Sequence, residues 1–377
     1  MQIHAAFDSG NIDIVDLTDP RRPVLAIRRD VGDEHMQWFH FRVSGAAGQP
    51  MQIVLKNASA CSYPNAWEGY QACRSTDGET WVRVNTHYSD GALVIDDKPP
   101  TDLVWYAYFA PYSMARLTRT LGRLQDHPEV RVHTLGETID GRALDMLVIG
   151  QPSESRPRLW VIARQHPGET MASFWMEGFL ERLLDPDDAL ARRLLERGTF
   201  YVVPHMNPDG GVRGHLRCNA AGANLNREWH APTLDRSPEV LHTRNAMDET
   251  GVDFCLDVHG DEALPYNFIA GAEGIAGWNP RMAELDRRFR DAYERACPDF
   301  QQVHGYPVDA PGEANMTMCT NAVAQRFDCL AMTLEMPFKD NADAPDPIFG
   351  WSPARCQRLG AASVDAMAEV LDDLRAR

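Results

Sequence analysis

The segment Arg164-Gln-His-Pro-Gly-Glu-Thr170 carries the strongest chemical signal in the chain. His166 and Glu169 stand three residues apart, and Pro167 and Gly168 turn the backbone between them. That spacing lets an imidazole nitrogen and a carboxylate oxygen converge on one cation. Zinc accepts such donors, and catalytic zinc sites use three protein ligands and keep one position for water. His259, in Leu256-Asp-Val-His-Gly-Asp261, is the third candidate ligand. Alone, a His-x-x-Glu pair is more often a solvated pair on a helix. Joined to a second histidine at another strand end, it reads as a metal site.

Two further segments hold polar residues suited to a substrate. Arg217 lies in Leu216-Arg-Cys-Asn219, and Asn226 and Arg227 lie in Gly222-Ala-Asn-Leu-Asn-Arg-Glu-Trp229. Arginine offers a rigid fork of donors that matches a carboxylate, and asparagine adds a neutral donor. Glu335 closes the apolar run of Ala331-Met-Thr-Leu-Glu335, where an unpaired carboxylate is expensive. It is therefore either half of a buried salt bridge or a general base. Asn207-Pro-Asp-Gly-Gly211 reads as a tight turn in any fold.

The elements that must position these residues fall into two regions. Up to about residue 112, short runs rich in β-branched and aromatic residues are broken by Gly, Pro, Asn and Asp. Examples are residues 23–27, the alternating 36–43, 51–55, 80–84 and 103–109. This pattern predicts an antiparallel β-sandwich over 1–112. From residue 113 onward, apolar strands alternate with helices: helices over 113–124, 169–184, 281–296 and 353–375, strands over 143–149, 158–163, 200–204, 254–258 and 331–335. Such alternation predicts an α/β domain over 113–377, a mixed sheet with helices on both faces. Sites in such sheets lie beyond the carboxyl ends of strands. His166, His259 and Glu335 all fall there.

Composition narrows the partners. The chain of 377 residues carries 54 acidic against 37 basic side chains, a formal charge of -17. This excess argues against nucleic acid or an anionic membrane as partner. The first residues lack a signal-peptide pattern, and no run approaches the roughly 20 apolar residues of a membrane span. Eight cysteines are scattered singly, with no CxxC pair. Reduced thiols in a cytoplasm are the expectation.

Taken together, HPGE, NPDG, LNREW, DVHG and TLEMP resemble the zinc metallocarboxypeptidases, in their cytosolic carboxypeptidase-like branch. The resemblance covers residue 131 to the C-terminus. It reaches more weakly into the first region through Phe7-Asp-Ser-Gly-Asn11, Trp38-Phe-His-Phe-Arg-Val-Ser-Gly45 and Ala110-Pro-Tyr-Ser113. It implies one zinc ion per chain on His166, Glu169 and His259, with Glu335 as general base. It implies Arg217 on the scissile carbonyl, and Asn226 and Arg227 on the terminal carboxylate of a peptide or protein. Three departures stand out. Asn224 occupies a place where the family often has Asp; Tyr306 is out of step with the family's clamping tyrosine; and Met318-Cys-Thr-Asn-Ala-Val323 lacks the basic residue of relatives that remove glutamate, with Arg326 out of step.

The expected function is a zinc-dependent carboxypeptidase, a cytoplasmic hydrolase that cleaves a C-terminal peptide bond through a water activated by Glu335 at the zinc. Two alternatives remain open at this level. One is a zinc amidohydrolase of small N-acyl amino acids or cell-wall peptides. The other is a catalytically silent binding module, which loss of a ligand or of the base would favour; neither is lost.

Overall fold

A computed structural model describes residues 1–375. Its central feature is a seven-stranded sheet in the order Val130–Glu137, Ala143–Ile149, Thr199–Val203, Arg158–Ala163, Phe254–Val258, Leu330–Glu335, Phe268–Ala270. The inner pairs run parallel and the outer pairs antiparallel, so the sheet is mixed as expected. Its central strands are apolar throughout because both faces are covered. Leu159, Val161 and Ala163 point into one core, with the helices Met171–Leu183, Pro280–Ala296 and Pro353–Val370. Trp160 and Ile162 point into the other, with Pro238–Thr250 and Cys319–Phe327. The two-residue period of a strand thus sorts its side chains between two helical layers.

Helices Met171–Leu183 and Pro353–Val370 touch backbone to backbone. A Cβ on Gly178 would overlap the carbonyl oxygen of Gln357, and one on Gly360 would overlap that of Trp175. Glycine is the residue that permits this crossing. The helix expected over 169–184 begins at Met171, because Glu169 and Thr170 still belong to the preceding turn. The last helix stops at Val370 and passes into a 3-10 turn, Leu371–Asp373.

The first 110 residues form two five-stranded sheets. One is antiparallel, in the order Gln2–His4, His40–Ser44, Leu103–Ala107, Ala72–Ser75, Trp81–Val84. The other runs Asp13–Asp16, Val24–Ala26, Met51–Leu55, Ala92–Asp97, Thr86–Ser89. Here Val24–Ala26 and Met51–Leu55 pair in parallel, the one exception among these ladders to the antiparallel expectation. Phe41, Val43, Ile53, Leu55, Leu93 and Ile95 fill the core of these sheets.

That core continues into the α/β layers. Tyr108 stacks on Phe338 with ring centroids 4.5 Å apart. Arg83 donates to the carbonyls of Gln71 at 2.7 Å, Phe338 at 2.8 Å and Trp351 at 3.0 Å, tying the strand Trp81–Val84 to the segment after Glu335. Among the described residues no helix is long and apolar enough to cross a membrane. All eight cysteines are buried free thiols.

Candidate active site

The turn that carries His166 and Glu169 is held from beneath by a buried arginine. Arg164 follows the strand Arg158–Ala163 with φ of 64°, a left-handed conformation that a non-glycine residue adopts only when its surroundings enforce it. Its guanidinium donates to the carbonyls of Pro167 at 2.9 Å and Tyr112 at 3.1 Å and to the Ser173 hydroxyl at 3.2 Å. Burial pushes its pKa down to about 10, still well inside the charged range at neutral pH. Gly168 donates to the Leu216 carbonyl at 2.8 Å. A Cβ there would lie 2.9 Å from that oxygen, so glycine permits the approach.

On this turn, Nδ1 of His166 lies 2.7 Å from Oε1 of Glu169. Nδ1 of His259, just past the strand Phe254–Val258, lies 2.8 Å from Oε2 of the same carboxylate and 3.1 Å from the His166 nitrogen. One donor atom from each residue lies within 4.8 Å of the others, and all three side chains are buried. The far ring nitrogens are engaged: Nε2 of His166 with Oδ1 of Asn224 at 3.0 Å, Nε2 of His259 with Oδ2 of Asp257 at 2.9 Å. Those partners turn both Nδ1 atoms toward Glu169.

The electrostatics suit a cation. Burial and Arg217 push the His166 imidazole down to about 3, which keeps it the neutral donor a metal requires. Burial resists protonation of His259, but Asp257 and Glu169 on its two nitrogens outweigh it and raise its pKa well above the usual range. Glu169 is held far below the usual carboxylate range: burial opposes its charge, and the two imidazoles overcome that opposition. Two nitrogens and a carboxylate around one point fit zinc.

Glu335 closes the strand Leu330–Glu335 beside His259, with 8% of its surface exposed. Its Oε2 is buried without a hydrogen-bond partner. Burial raises its pKa well above the carboxylate range; His259 pulls it down, while Glu169, Asp261 and Glu262 push it further up. No salt bridge to Glu335 forms among the described residues, so a buried ion pair does not account for its place.

Arg217 points its guanidinium at the same space. It makes no side-chain hydrogen bond among the described residues, and its Cζ lies 5.9 Å from the ring centroid of Tyr63. Burial opposes its charge, but Tyr63, Glu262, Glu169 and Glu335 together hold its pKa above the ordinary arginine value. Asn226 is buried and accepts from the Cys319 amide at 2.8 Å, which leaves its NH2 available. Arg227 is exposed and donates to the carbonyl of Asn226 at 2.7 Å. Burial of its head group and the charge of Arg217 lower its pKa.

Beside Glu335 opens a cavity of about 550 Å³, lined among others by Glu273, Arg290, Tyr306, Thr320, Asn321 and Thr333. Thr333 shares the face of Glu335 two residues along the strand, and its hydroxyl lies 2.6 Å from that of Thr320. Arg326 is not here: it pairs with Asp248 at 2.6 Å on the surface. Arg290 lines the cavity, but Asp286 holds it at 2.7 Å and Glu273 at 3.3 Å.

Other residues complete the site. Asp257 stands two before His259 in a D-x-H pattern, which was a readable signal. Tyr306 sits close enough for its oxygen to feel the charge of Glu335, and it donates to Oδ2 of Asp261 at 2.6 Å. Tyr63 comes from the connection between strands Met51–Leu55 and Ala72–Ser75 and gave no sign in the sequence. Asn207 does more than turn the chain: it caps the helix Pro208–Arg213 and donates to the Gln165 carbonyl at 3.0 Å.

Known proteins match both regions of the chain. Residues 117–270 match the zinc carboxypeptidase family, and residues 3–109 match the cytosolic carboxypeptidase N-terminal domain. A metallo-carboxypeptidase from Pseudomonas aeruginosa, solved in complex with (2-guanidinoethylmercapto)succinic acid, is 47% identical with a TM-score of 0.96 over 100% of both chains. One from Burkholderia cenocepacia is 43% identical, with a TM-score of 0.96 over 99% of each chain. Cytosolic carboxypeptidase 1 of Xenopus laevis is 28% identical over 80% of this chain, which spans only 29% of that longer protein. The first region matches the N-terminal domain of cytosolic carboxypeptidases, and the chain belongs to the zinc carboxypeptidase family as a zinc-dependent peptidase that acts on peptide C-termini.

Proposed function

We propose that His166, Glu169 and His259 hold the single zinc ion and that Glu335 is the general base. The observation that carries this reading is a pairing of opposites. Three donor atoms converge with their outer partners in place, while the neighbouring Glu335 keeps a buried oxygen with no hydrogen-bond partner among the described residues. When bound, zinc acidifies a water, polarises the scissile carbonyl and favours the ionised form of Glu335. Glu335 then takes the proton from the attacking water and returns it to the leaving amine. Arg217 donates to the carbonyl oxygen as negative charge gathers there. Its lack of side-chain hydrogen bonds among the described residues supports that role.

Asn226 and Arg227 grip the terminal carboxylate and so fix which bond is cut. The succinic acid derivative bound to the Pseudomonas aeruginosa relative, a dicarboxylate, supports such a clamp. The terminal side chain enters the cavity of Thr320 and Thr333, where the one lining arginine is already paired. This favours polar uncharged residues over glutamate. Residues 1–112 form the N-terminal β-domain of this reading and 113–377 the catalytic domain. Eight unbridged thiols support a cytoplasmic site of action, and the acidic surface supports peptides rather than nucleic acid or membranes as partners.

The deciding experiment compares one peptide with its C-terminal amide. Hydrolysis of the free acid with release of one amino acid is expected, and the amide should react at least about 100-fold more slowly. Equal cleavage of both would remove the clamp and favour an amidohydrolase.

A further inference from the structure

Arg217 lies on a segment whose backbone is gripped from outside the α/β layers. Three successive N–H groups there donate to a single carboxylate: Leu216 to Oδ1 of Asp30 at 2.7 Å, Arg217 to Oδ2 at 2.7 Å and Cys218 to Oδ2 at 2.8 Å. Asp30 is 3% exposed and follows the strand Val24–Ala26 of the N-terminal sheets. Its own turn is anchored by its N–H on the His35 carbonyl at 2.8 Å and by the Val31 N–H on Nε2 of His215 at 3.1 Å. Asn11 donates to the Gly214 carbonyl at 2.7 Å, one residue further back. At the other edge, a Cβ on Gly222 would lie 2.6 Å from the carbonyl oxygen of Gly32, so the two backbones meet without side chains between them.

The far side of the segment bears on the metal ligands. The carbonyl of Leu216 receives the Gly168 N–H at 2.8 Å, and Gly168 lies between His166 and Glu169. The two peptide units flanking Leu216 therefore join Asp30 on one side to the ligand turn on the other. Loops of the N-terminal region reach both ends of Arg217: Asp30 accepts from its backbone N–H, and the ring of Tyr63 lies 5.9 Å from its Cζ. A carboxylate is suited to this place because an ionised acceptor with several lone pairs satisfies three converging donors. A neutral side chain leaves at least one of these buried N–H groups unpaired.

We propose that Asp30 is a positioning residue for the reaction: it aims Arg217 at the scissile carbonyl, which makes the N-terminal sheets a working part of the catalytic apparatus. This rests on the role given above to Arg217. Donors of this kind act only when fixed where charge develops, and a misplacement of about 1 Å can lower a rate about 100-fold.

A double-mutant cycle tests it in the full-length, zinc-loaded protein. Asp30→Asn keeps the volume and one acceptor oxygen, and Asp30→Ala removes both oxygens. On a free-acid peptide, Asp30→Asn should lower kcat by about 10- to 100-fold, leave KM within about twofold and leave one zinc per chain. In the Arg217→Ala background the same change should alter kcat by less than about twofold, because the side chain that Asp30 aims is already gone, whereas an effect passed through the Gly168 turn to the metal ligands would persist there and lower zinc content. A residue that merely stabilised the fold would lower kcat by the same factor with and without Arg217. That result, or parental kcat in both Asp30 variants, overturns the proposal. Should Arg217→Ala itself leave kcat unchanged, the reading of Arg217 falls and the proposal falls with it. Loss confined to the Asp30 assignment is recognised by Arg217→Ala being slow while Asp30→Asn is not.

Discussion

Oδ1 of Asn224 stands 3.0 Å from Nε2 of His166, so a neutral amide orients one imidazole of the metal site while the carboxylate of Asp257 orients the other at 2.9 Å. A neutral partner polarises the ring less, so a zinc held by both histidines should draw the weaker donation from His166. Zinc affinity should follow the order Asp above Asn above Ala at position 224. Asn224→Ala should weaken binding by about 10- to 100-fold, and Asn224→Asp should strengthen it. Competition with a chromogenic chelator measures this; a tie among the three would remove Asn224 from the metal's support.

Glu335→Gln should retain one zinc per chain and lose about 100- to 10,000-fold in turnover. The amide matches the carboxylate in size but accepts no proton from water. Elemental analysis beside steady-state kinetics separates the two effects. Near-parental turnover in this variant would sink the general-base assignment.

Arg217 and Arg227 should fail differently. Arg217→Ala should lower kcat by about 100- to 1,000-fold, since its contact strengthens as the oxyanion forms. Arg227→Ala should chiefly raise KM and narrow the preference for free acids over amides, because a carboxylate is gripped equally in ground and transition states. Kinetics on one peptide and its amide distinguish the patterns.

His40 predicts acid lability in the N-terminal sheets. Burial pushes its imidazole down to about 3, whereas the unfolded chain titrates near 6.5. Between those values the unfolded state binds the extra proton, so stability falls as pH drops from 6.5 toward 3. Two units below 6.5 the loss from this residue is about 2.7 kcal/mol. Denaturant melts of the parent and His40→Gln should diverge in slope below pH 6.5 and run parallel above it. Parallel curves throughout would mean that the folded protein accommodates the charge.

How much of this was legible in the sequence depended on distance along the chain. His166 and Glu169 announce themselves within four residues, and Asp257 could have been read from its place beside His259. Helix Pro238–Thr250 carried a start signal in Ser237-Pro-Glu, yet its mixed faces hid the periodicity that identifies helices. Asp30 is another matter. It meets Leu216 across 186 residues, and nothing local marks an aspartate that will accept three backbone amides. Tyr63 and Tyr306 are likewise defined by what the folded chain brings to them.

Arg83 has a consequence for the time course of synthesis. Its partner carbonyl on Phe338 lies 255 residues downstream. At translation rates of about 5 to 20 residues per second, the N-terminal sheets wait about 10 to 50 seconds for the segment that closes over Tyr108. For that interval an aromatic face is open to water and to other nascent chains. Pauses before residue 338, or a shortage of chaperones that shield such faces, should therefore lower the yield of active protein more than changes near the C-terminal helix.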